Sequence, residues 1–306
     1  MMKGEEGAPL RVICAGHVNW DVTLRVDRLP EPDGEACIAD QYQSGGGSAS
    51  NVAVALAGLD ASPLLLGSVG RDENGWLVRR ELEDAGVETA LVETDGETAV
   101  KYLVVDDSGE LLMFGNDGAN EAYAAADLSK RQLTAADHLH LTSQRPETAA
   151  ELAHTAEEAG LSVSFDPGRR LADRDFAETI CRTDLLFCNE REATVLREDG
   201  FADAVSTLVI KQGSGGATVF DGGREVYHPG FAVDPVDTTG AGDAFAAGFL
   251  VARGDDLERA LAVGNACGAL AARTPAPGSR SSGGTSRRCW TSGQARGDTG
   301  GCNKLT

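Results

Sequence analysis

The clearest candidate for chemistry in this sequence is the stretch at residues 237–245, which reads Asp-Thr-Thr-Gly-Ala-Gly-Asp-Ala-Phe. Small side chains at 240–242 leave the backbone N–H groups uncovered just before a predicted helix, and a helix N-terminus with exposed amides binds anions. Asp243 would lie beside such an anion, where its carboxylate can take the proton from a hydroxyl that attacks a phosphoryl group. A simpler explanation is that Thr238 or Thr239 caps the helix and that Asp243 only complements the helix dipole.

A second group of polar residues follows the first predicted strand, which spans residues 11–15. Asn19 and Asp21 offer an amide and a carboxylate that can chelate neighbouring hydroxyl groups of a sugar, and a buried polar pair rejects an analogue that lacks them. Further along, the glycines at 45–47 would let a substrate approach the backbone, with Asn51 close behind them. The alternatives are an ordinary turn at the first pair and a simple helix N-cap at Asn51.

The elements that must position these residues alternate between strands and helices along most of the chain. Such alternation predicts an α/β fold whose mostly parallel sheet is covered by helices on both faces, with ligands at the carboxyl ends of its strands. Two early strand pairs, near 34–43 and 98–116, break the alternation and predict a small separate β-sheet. The other predicted elements are strands at 11–15, 63–69, 138–142, 162–166, 185–189 and 208–211, a hairpin at 218–228, and helices at 51–59, 74–85, 146–159, 190–198, 241–252 and 257–273.

The composition is strongly acidic, with 27 basic residues, 48 acidic residues and a formal net charge of -21. This charge disfavours binding to nucleic-acid phosphates and to anionic membrane surfaces, and no apolar run reaches the roughly 18 residues that a membrane span needs. Only five of the basic residues are lysines, and an acidic, lysine-poor chain predicts a salt-loving source whose charges need screening. The seven cysteines include no C-x-x-C pair and the N-terminus has no secretory signal, which predicts a reduced, cytoplasmic protein without a zinc site.

The last part of the sequence, residues 276–306, differs from the rest. It carries five basic residues and one acid, and Gly, Ser and Thr make up 16 of its 31 residues. Because it has no apolar periodicity, it is predicted to be disordered, and the main domain is predicted to span 1–275. Two explanations remain open: a basic interaction tail, or a reading frame lost near Pro275 that replaced the natural last strand and helix.

Taken together, the two glycine-rich stretches resemble the signatures of the ribokinase family, also called the PfkB carbohydrate kinases. Residues 237–245 resemble its second signature and residues 45–51 (Gly-Gly-Gly-Ser-Ala-Ser-Asn) resemble its first. The resemblance extends over roughly residues 10–275 and implies a three-layer α/β/α domain whose small β-sheet forms a lid over the sugar. It also implies an ATP-dependent phosphotransferase that acts on a hydroxyl of a small sugar, and the acidic composition points to a halophilic archaeon as the source.

The family resemblance implies roles for individual residues. Asp243 is implied to be the general base, with the amides of Gly240, Ala241 and Gly242 as the anion hole for the transferring phosphoryl group. The implied sugar site comprises Asn19, Asp21, Gly45, Gly46, Asn51 and the lid residue Lys101. The implied nucleotide site comprises Asn189, Glu192, Lys211, Gly213, Gly216 and Asn265.

ATP and Mg²⁺ are the cofactors that the resemblance implies. Glu192, in the Asn-Glu-Arg-Glu stretch that begins at Asn189, would order the metal ion through water. K⁺ is a further implied cofactor, with Asp237 as a candidate ligand for a monovalent cation, although the family's K⁺ loop falls at 274–285, where the composition changes. The implied partners are a small sugar or nucleoside as substrate and a second copy of the chain through the lid, with neither nucleic acid nor membrane.

The identity of the substrate remains open at this stage. Phosphosugar kinases of the family often carry a lysine in the glycine loop, but Ser48 stands there, which favours an unphosphorylated sugar. The alternative is a nucleoside or ribose-1-phosphate kinase, in which Lys101 or the pair Arg169 and Arg170 would bind a base or a phosphate. Just before that pair, Gly168 replaces the Asn that the family carries. A non-catalytic nucleotide or sugar sensor is the remaining alternative.

Overall fold

The computed structural model describes residues 8–201, 204–254 and 256–274. Within these ranges the chain forms a large β-sheet with helices packed on both faces and a small separate sheet. The strands are β1 (Arg11–Ala15), β2 (Asn19–Val26), β3 (Ile38–Gly46), β4 (Ser62–Gly70), β5 (Glu88–Thr94), β6 (Ala99–Asp106), β7 (Leu111–Gly115), β8 (His138–Thr142), β9 (Ser162–Asp166), β10 (Leu185–Asn189), β11 (Thr207–Lys211), β12 (Ala217–Asp221) and β13 (Arg224–His228). The α-helices are α1 (Ser48–Gly58), α2 (Glu73–Asp84), α3 (Lys130–Ala135), α4 (Pro146–Glu158), α5 (Ala177–Ile180), α6 (Glu190–Glu198), α7 (Ala241–Ala252) and α8 (Leu257–Arg273).

The large sheet runs in the order β13-β12-β11-β10-β9-β8-β1-β4-β5. All neighbouring strands from β11 to β5 are parallel, and the hairpin of β12 and β13 adds antiparallel pairing at one edge. The mostly parallel α/β fold predicted from the sequence is therefore confirmed. Because parallel strands all end at the same edge, the sheet brings the residues that follow β1, β9, β10 and β11 to one side of the molecule.

Alternating residues of strand β1 belong to two different hydrophobic clusters, one on each face of the large sheet. In β1, Val12 and Cys14 pack with α1, α2 and α7, while Ile13 and Ala15 face the opposite layer with α4 and α6. Each of these four residues is at most 1% exposed. A strand that is covered on both faces reads as a continuous apolar run, which explains why this strand was predictable from five residues.

The small sheet has four strands in the order β3-β2-β6-β7. Two strand pairs near 34–43 and 98–116 were expected, but β2 is an additional strand and lies at the centre of the sheet, between β3 and β6. Its residues alternate between apolar side chains such as Trp20 and Val22 and polar ones such as Asp21, which is the pattern of a half-buried strand. Strand β3 begins at Ile38 rather than at residue 34, because the Gly34 amide donates to the Glu31 carbonyl in a turn.

Helix α1 begins three residues earlier than the sequence predicts, and this changes the role of Asn51. Its N-cap is Gly47, with a φ of 98°, and a Cβ at that position would lie 2.3 Å from the His17 carbonyl oxygen. Only glycine fits such a conformation and such a contact. The alternative in which Asn51 serves as the N-cap is therefore wrong, and its side chain is free to point into the site.

Other elements follow the predictions closely. Helices α7 and α8 have the predicted bounds, whereas β5 was not predicted. Among the described residues, no helix has both the length and the apolar character that crossing a bilayer requires. The segment 276–306, with the two explanations for its composition, lies outside the described residues.

Candidate active site

The N-terminus of α7 is a tight glycine turn. Gly240 is its N-cap residue and adopts a left-handed conformation with a φ of 74°. None of the side chains that the structure describes caps this helix, so the explanation in which Thr238 or Thr239 caps the helix is wrong. The Ala241 amide, one of three expected in the anion hole, donates to the Thr238 carbonyl at 3.2 Å. The first turn of the helix then places Asp243 next to these groups.

Asp243 is held by a side chain from the other half of the sequence. Asn51 donates a hydrogen bond of 2.8 Å from its Nδ2 to Oδ2 of Asp243, because α1 packs against α7. Burial raises the pKa of Asp243 to about 6, although the hydrogen bond from Asn51 opposes this shift, and the charge of nearby Asp166 adds to it. A carboxylate whose pKa lies close to neutral is well matched to accept a proton at physiological pH.

Lys211 ends β11 and lies against the first turn of α7. A Cβ added to Gly242 would lie 3.4 Å from its Nζ, and the ammonium group forms an ion pair with Asp166 at the end of β9. Burial alone would lower the pKa of Lys211, but the charges of Asp166, Asp243 and Glu192 raise it above its ordinary value. The lysine is therefore charged, and it can offset the negative charge of a phosphoryl group at the start of α7.

Asn189 and Glu192 form a capping box at the start of α6. The Asn189 side-chain oxygen accepts from the amides of Arg191 and Glu192. In return, the backbone amide and Nδ2 of Asn189 donate to Oε2 and Oε1 of Glu192, both at 2.8 Å. Burial raises the pKa of Glu192, and the charge of Asp166 raises it further. Asn189 also pairs in register with Lys211 on β11, so the box lies beside the ion pair of that lysine.

A metal ion would have few direct protein ligands at this site. The described ranges contain no group of three or more Asp, Glu, His or Cys side chains arranged to hold a metal. Mg²⁺ nevertheless fits these residues, because it keeps most of its water and takes one or two carboxylates together with substrate phosphates. The charge of Asp166 raises the pKa of both Glu192 and Asp243, so Asp166 lies within electrostatic reach of each of these carboxylates.

The sugar residues that were expected on a loop stand in strand β2 instead. Asn19 is fully buried, its Oδ1 accepts from Asn120 at 2.7 Å, and its Nδ2 has no partner among the described residues. Oδ1 of Asp21 is likewise buried without a partner in these ranges. Buried polar atoms are almost always hydrogen-bonded in native proteins, so this pair of atoms is suited to bind a polar ligand.

Of the two β3 glycines expected in the sugar site, Gly46 lies against Asp21, whereas Gly45 faces α2, where an added Cβ would lie 2.9 Å from Val78. A Cβ at Gly46 would lie 2.1 Å from Oδ2 of Asp21, and the Gly45 amide donates to Oε2 of Glu81 at 2.7 Å. Burial raises the pKa of Asp21 to about 6, and the charge of Lys101 opposes that shift. Lys101 stands directly beside Asp21 in the register of β2 and β6, so the small sheet brings both residues to the same face.

One set of side-chain contacts in this region was not foreseen from the sequence. Glu121 accepts from Nε2 of His17 and from Arg174, both at 2.8 Å, and its backbone has a φ of 66°. His17, two residues upstream of Asn19, is thereby tied to the segment that follows β7, and Asn120 of the same segment binds Asn19 directly. No local sequence pattern predicts these contacts, because they join residues about a hundred positions apart.

The other expected nucleotide residues form a separate group beside the hairpin of β12 and β13. Gly213 has a φ of 58° and nothing near its Cβ position, so the loop after Lys211 is open there. Gly216 is packed tightly instead, because a Cβ would lie 2.0 Å from the His228 carbonyl. Asn265 is buried on α8 with its Nδ2 3.2 Å from Nδ1 of His228.

The expected cation ligand Asp237 serves in a local turn. Its Oδ1 accepts from the Thr239 amide at 2.8 Å, immediately before α7. The sequence that was expected to complete a K⁺ loop lies beyond Thr274, outside the described residues. A monovalent cation at Asp237 therefore stays a prediction.

Comparison of the sequence with known proteins identifies a family and several relatives. The sequence model of the pfkB family of carbohydrate kinases matches residues 10–282. The chain is 58% identical over 273 residues to an ATP-dependent ribose-1-phosphate kinase of Halopiger xanaduensis, which covers 86% of this chain and 92% of that protein. It is 32% identical over 276 residues to the ribokinase of Bacillus subtilis, covering 85% of this chain and 92% of the relative. The Halopiger relative is consistent with the halophilic source expected from the acidic composition.

Solved structures share the fold over most of the chain. The nucleoside kinase of Methanocaldococcus jannaschii superposes with a TM-score of 0.74 at 27% identity, covering 88% of this chain and 93% of that one. A ribokinase of Thermotoga maritima gives a TM-score of 0.77 at 26% identity, with 87% and 93% coverage. These similarities confirm the three-layer architecture and the small separate sheet.

Proposed function

The chain belongs to the pfkB family of carbohydrate kinases, and on this premise we propose that it transfers the γ-phosphoryl group of ATP to a hydroxyl of ribose-1-phosphate. That it is an ATP-dependent carbohydrate kinase follows from the family and its relatives. The observation that carries the chemistry is Asp243, placed at the glycine turn of α7 and hydrogen-bonded by Asn51. The choice of substrate follows the Halopiger relative and departs from the expectation that Ser48 suggested.

Asp243 is the general base in this proposal. A substrate hydroxyl beside it attacks the γ-phosphorus of ATP, the O–H proton passes to the free carboxylate oxygen, and ADP leaves with the electrons of the broken P–O bond. Asn51 holds the other oxygen, Oδ2, and so fixes the orientation of the carboxylate. Because burial brings the pKa of Asp243 to about 6, the base is ionised at neutral pH and still basic enough to accept the proton.

Fixed positive charge surrounds the position of the transferring group. The ammonium of Lys211 and the first-turn amides at Gly240 and Gly242 stabilise the negative charge that develops on the phosphoryl oxygens. A Mg²⁺ ion, ordered through water by Glu192, would neutralise charge on the two phosphates that separate in the reaction. The open loop at Gly213 and the buried Asn265 would receive the rest of the nucleotide.

The sugar lies under the small sheet in this proposal. Nδ2 of Asn19 and Oδ1 of Asp21, which have no partner among the described residues, bind its hydroxyl groups. Gly46 has no side chain that would displace the Asp21 carboxylate from this position. Closure of the small sheet over the sugar excludes water, which would otherwise compete as the phosphoryl acceptor.

We also propose that two copies of the chain associate through the small sheet. Its edge strand β7 exposes four apolar side chains in succession: Leu111, Leu112, Met113 and Phe114 are between 40% and 58% exposed. An exposed apolar edge strand pairs readily with another strand, so a second copy would cover this surface.

Measurement of ADP release tests the proposal, with ribose-1-phosphate, ribose, fructose and nucleosides offered in about 2–3 M KCl, which screens the acidic surface. We expect turnover of ribose-1-phosphate, and Asp243→Asn should lower kcat by about 100- to 10,000-fold while ATP binding is retained. Asp256→Asn is the matched control, since Asp256 caps α8 outside the site and should leave kcat unchanged. An Asp243 variant that keeps more than about a tenth of the rate would contradict the role of the base. ATP binding without any turnover of the wild-type chain would favour a sensor instead.

A further inference from the structure

We propose that Lys101, Arg169 and Arg170 form the binding site for the phosphate group that the sugar substrate already carries. The proposal rests on the proposed function and deepens it, because it assigns the residues that would distinguish a sugar phosphate from a free sugar. The three cations come from two parts of the fold: Lys101 stands on lid strand β6, and the arginines stand in the turn of 3₁₀-helix at Gly168–Ala172 that follows β9.

The lid places Lys101 on the substrate side of the sheet. It pairs in register with Asp21 on β2 and with Gly115 on β7. Side chains that are directly opposite in neighbouring strands lie on the same face, so Lys101 shares the face of Asp21, whose carboxylate belongs to the sugar site. A Cβ at Gly115 would lie 3.3 Å from Cγ of Lys101, and the glycine therefore leaves room for the lysine stem.

The charge of Lys101 is not neutralised by a direct partner. The lysine is half-buried, and no ion pair or hydrogen bond joins its Nζ to any residue that the structure describes. Burial lowers the pKa of Lys101, and the positive charges of Arg169 and Arg170 lower it as well, while Asp21 and Asp243 raise it. On β7, Met113, which Arg169 contacts, stands two positions before Gly115 and so on the face of the sheet that carries Lys101. The lysine therefore lies near Arg169 as well as beside Asp21.

The two arginines reach the same region from the body of the protein. Arg169 has only a sulfur contact in the described ranges, with its guanidinium 3.8 Å from Sδ of Met113 on β7. Arg170 forms an ion pair of 2.9 Å with Asp117, whose side chain is 81% exposed. A thioether is a weak acceptor and an exposed ion pair is worth little, so both guanidinium groups can turn to an arriving anion at small cost.

A phosphorylated sugar needs such a cluster at this place. Asp21 and Asp243 would repel a phosphate dianion, so the free sugar is the better ligand unless fixed cations offset the two carboxylates. Three cations that lack strong partners supply that compensation. Lys101 is held partly away from water, and because such a charge is normally paired, its lack of a direct partner among the described residues indicates an anionic ligand. Arginine forks bind phosphate oxygens in pairs, and the lysine adds a point charge.

Substrate selectivity tests the proposal. We expect Lys101→Met and Arg170→Met each to lower kcat/KM for ribose-1-phosphate by about 10- to 100-fold, which corresponds to the loss of one charge-assisted contact. The ratio of kcat/KM for ribose-1-phosphate to kcat/KM for free ribose should fall by about the same factor in both variants, since a free sugar makes no such contact. Lys101→Arg should restore part of the preference because it keeps the charge. Lys130→Met and Arg197→Met, which change exposed residues outside the site, should alter neither value.

A second measurement separates a phosphate on the sugar from free phosphate. Inorganic phosphate should inhibit the wild-type enzyme competitively against ribose-1-phosphate and should do so more weakly in Arg169→Met and Arg170→Met. Inorganic phosphate could inhibit the enzyme while Lys101→Met, Arg169→Met and Arg170→Met all keep the preference for ribose-1-phosphate over ribose. That result would indicate a site for the free ion and would overturn the proposal. A wild-type enzyme that prefers ribose or a nucleoside, with the variants unchanged, overturns it while the kinase assignment stands. Absence of turnover on every sugar would overturn the proposed function itself.

Discussion

The side-chain amide of Asn51 lies 2.8 Å from Oδ2 of Asp243, although 192 residues separate the two in the sequence. This contact joins α1, which follows the glycine loop, to α7, which begins at the proposed phosphoryl site. It makes the orientation and the charge of Asp243 depend on a residue of the proposed sugar site. A substrate bound against Asn51 therefore meets a carboxylate that is already held in position.

The pH dependence of turnover should report this contact. Because burial raises the pKa of Asp243 to about 6 and the base acts only when ionised, kcat/KM should be constant near neutral pH and fall tenfold per unit below about 6. Asn51→Leu removes a hydrogen bond that stabilises the ionised form, so the acid limb should move to a higher pH. The measurement is kcat/KM between about pH 5 and 8 for both enzymes.

The control for this profile is Gln132→Leu. Gln132 is an amide in the capping box of α3, away from the site, and its loss should leave the acid limb where it is. An acid limb that stays at the same pH in Asn51→Leu would show that the amide does not set the charge of Asp243.

The missing side chain at Gly46 should be essential for sugar binding. A Cβ there would lie 2.1 Å from Oδ2 of Asp21, so Gly46→Ala must push the carboxylate away from its position. We expect KM for the sugar to rise by about tenfold or more, the equivalent of losing one hydrogen bond to a charged group, with little change in KM for ATP. Steady-state kinetics with each substrate varied in turn measures both constants.

Gly254→Ala serves as the matched glycine control. A Cβ at Gly254 meets nothing within 4 Å, and this variant should bind sugar and ATP like the wild type. If Gly46→Ala had an unchanged KM for the sugar, Asp21 would not be a sugar ligand.

The local part of the site was predictable from the sequence because it is contiguous. The glycines and Asp243 of residues 237–245 form one turn and the start of one helix, and their spacing alone indicated an anion site. The large sheet was predictable for a related reason: its buried strands are short apolar runs between helices with clear ends. Asn189 and Lys211 could be placed together because parallel strands end at one edge.

The contacts between distant segments could not be predicted in this way. Periodicity gives the face of a strand or helix but not its partner, so the ion pair of Lys211 with Asp166 and the contact of Asn120 with Asn19 had no signal. Strand β2 was missed although it alternates regularly, because its first residues were assigned to the loop that leaves β1. The start of α1 was misjudged because the polar Asn51 suggested a cap.

Glu192 should affect the requirement for Mg²⁺ more than it affects folding. Glu192→Gln keeps a side-chain oxygen that can accept from the Asn189 amide, so the capping box is weakened but not removed, and the free energy of unfolding should fall by less than about 1 kcal/mol. The Mg²⁺ concentration for half-maximal rate should rise by about tenfold, because the metal loses a carboxylate that orders its water. Titration of the rate with Mg²⁺ at saturating ATP measures it.

The alternative is that Glu192 only caps α6. In that case Glu192→Gln and Ser129→Ala, which weakens the capping box of α3, would have similar small effects on unfolding and neither would change the Mg²⁺ titration. An unchanged Mg²⁺ requirement in Glu192→Gln would therefore remove this residue from the metal site.

The charge on Glu121 should stabilise the fold at neutral pH and lose this effect in acid. Although burial opposes ionisation, the hydrogen bonds from His17 and Arg174 lower the pKa of Glu121 to about 2. A group whose pKa is lower in the folded than in the unfolded chain, where it is about 4.3, adds stability above the unfolded value and loses it as the pH falls toward the folded value. Glu121→Gln should therefore lower the free energy of unfolding at pH 7 by about 1–3 kcal/mol, as expected for buried charged partners left unpaired.

Denaturant unfolding between about pH 2 and 7 measures this pH dependence. The free energies of unfolding of the wild type and Glu121→Gln should converge as the wild-type carboxylate is protonated. Glu157→Gln is the matched control: Glu157 forms an ion pair of 2.7 Å with Arg182, but its side chain is 61% exposed, so its loss should change stability by less than about 1 kcal/mol at any pH. A difference between wild type and Glu121→Gln that stays constant down to pH 2 would mean that packing, and not the charge, makes the contribution. Because Glu121 also ties His17 to the segment that follows β7, KM for the sugar should rise in this variant while KM for ATP does not, which separates loss of the proposed sugar site from general destabilisation.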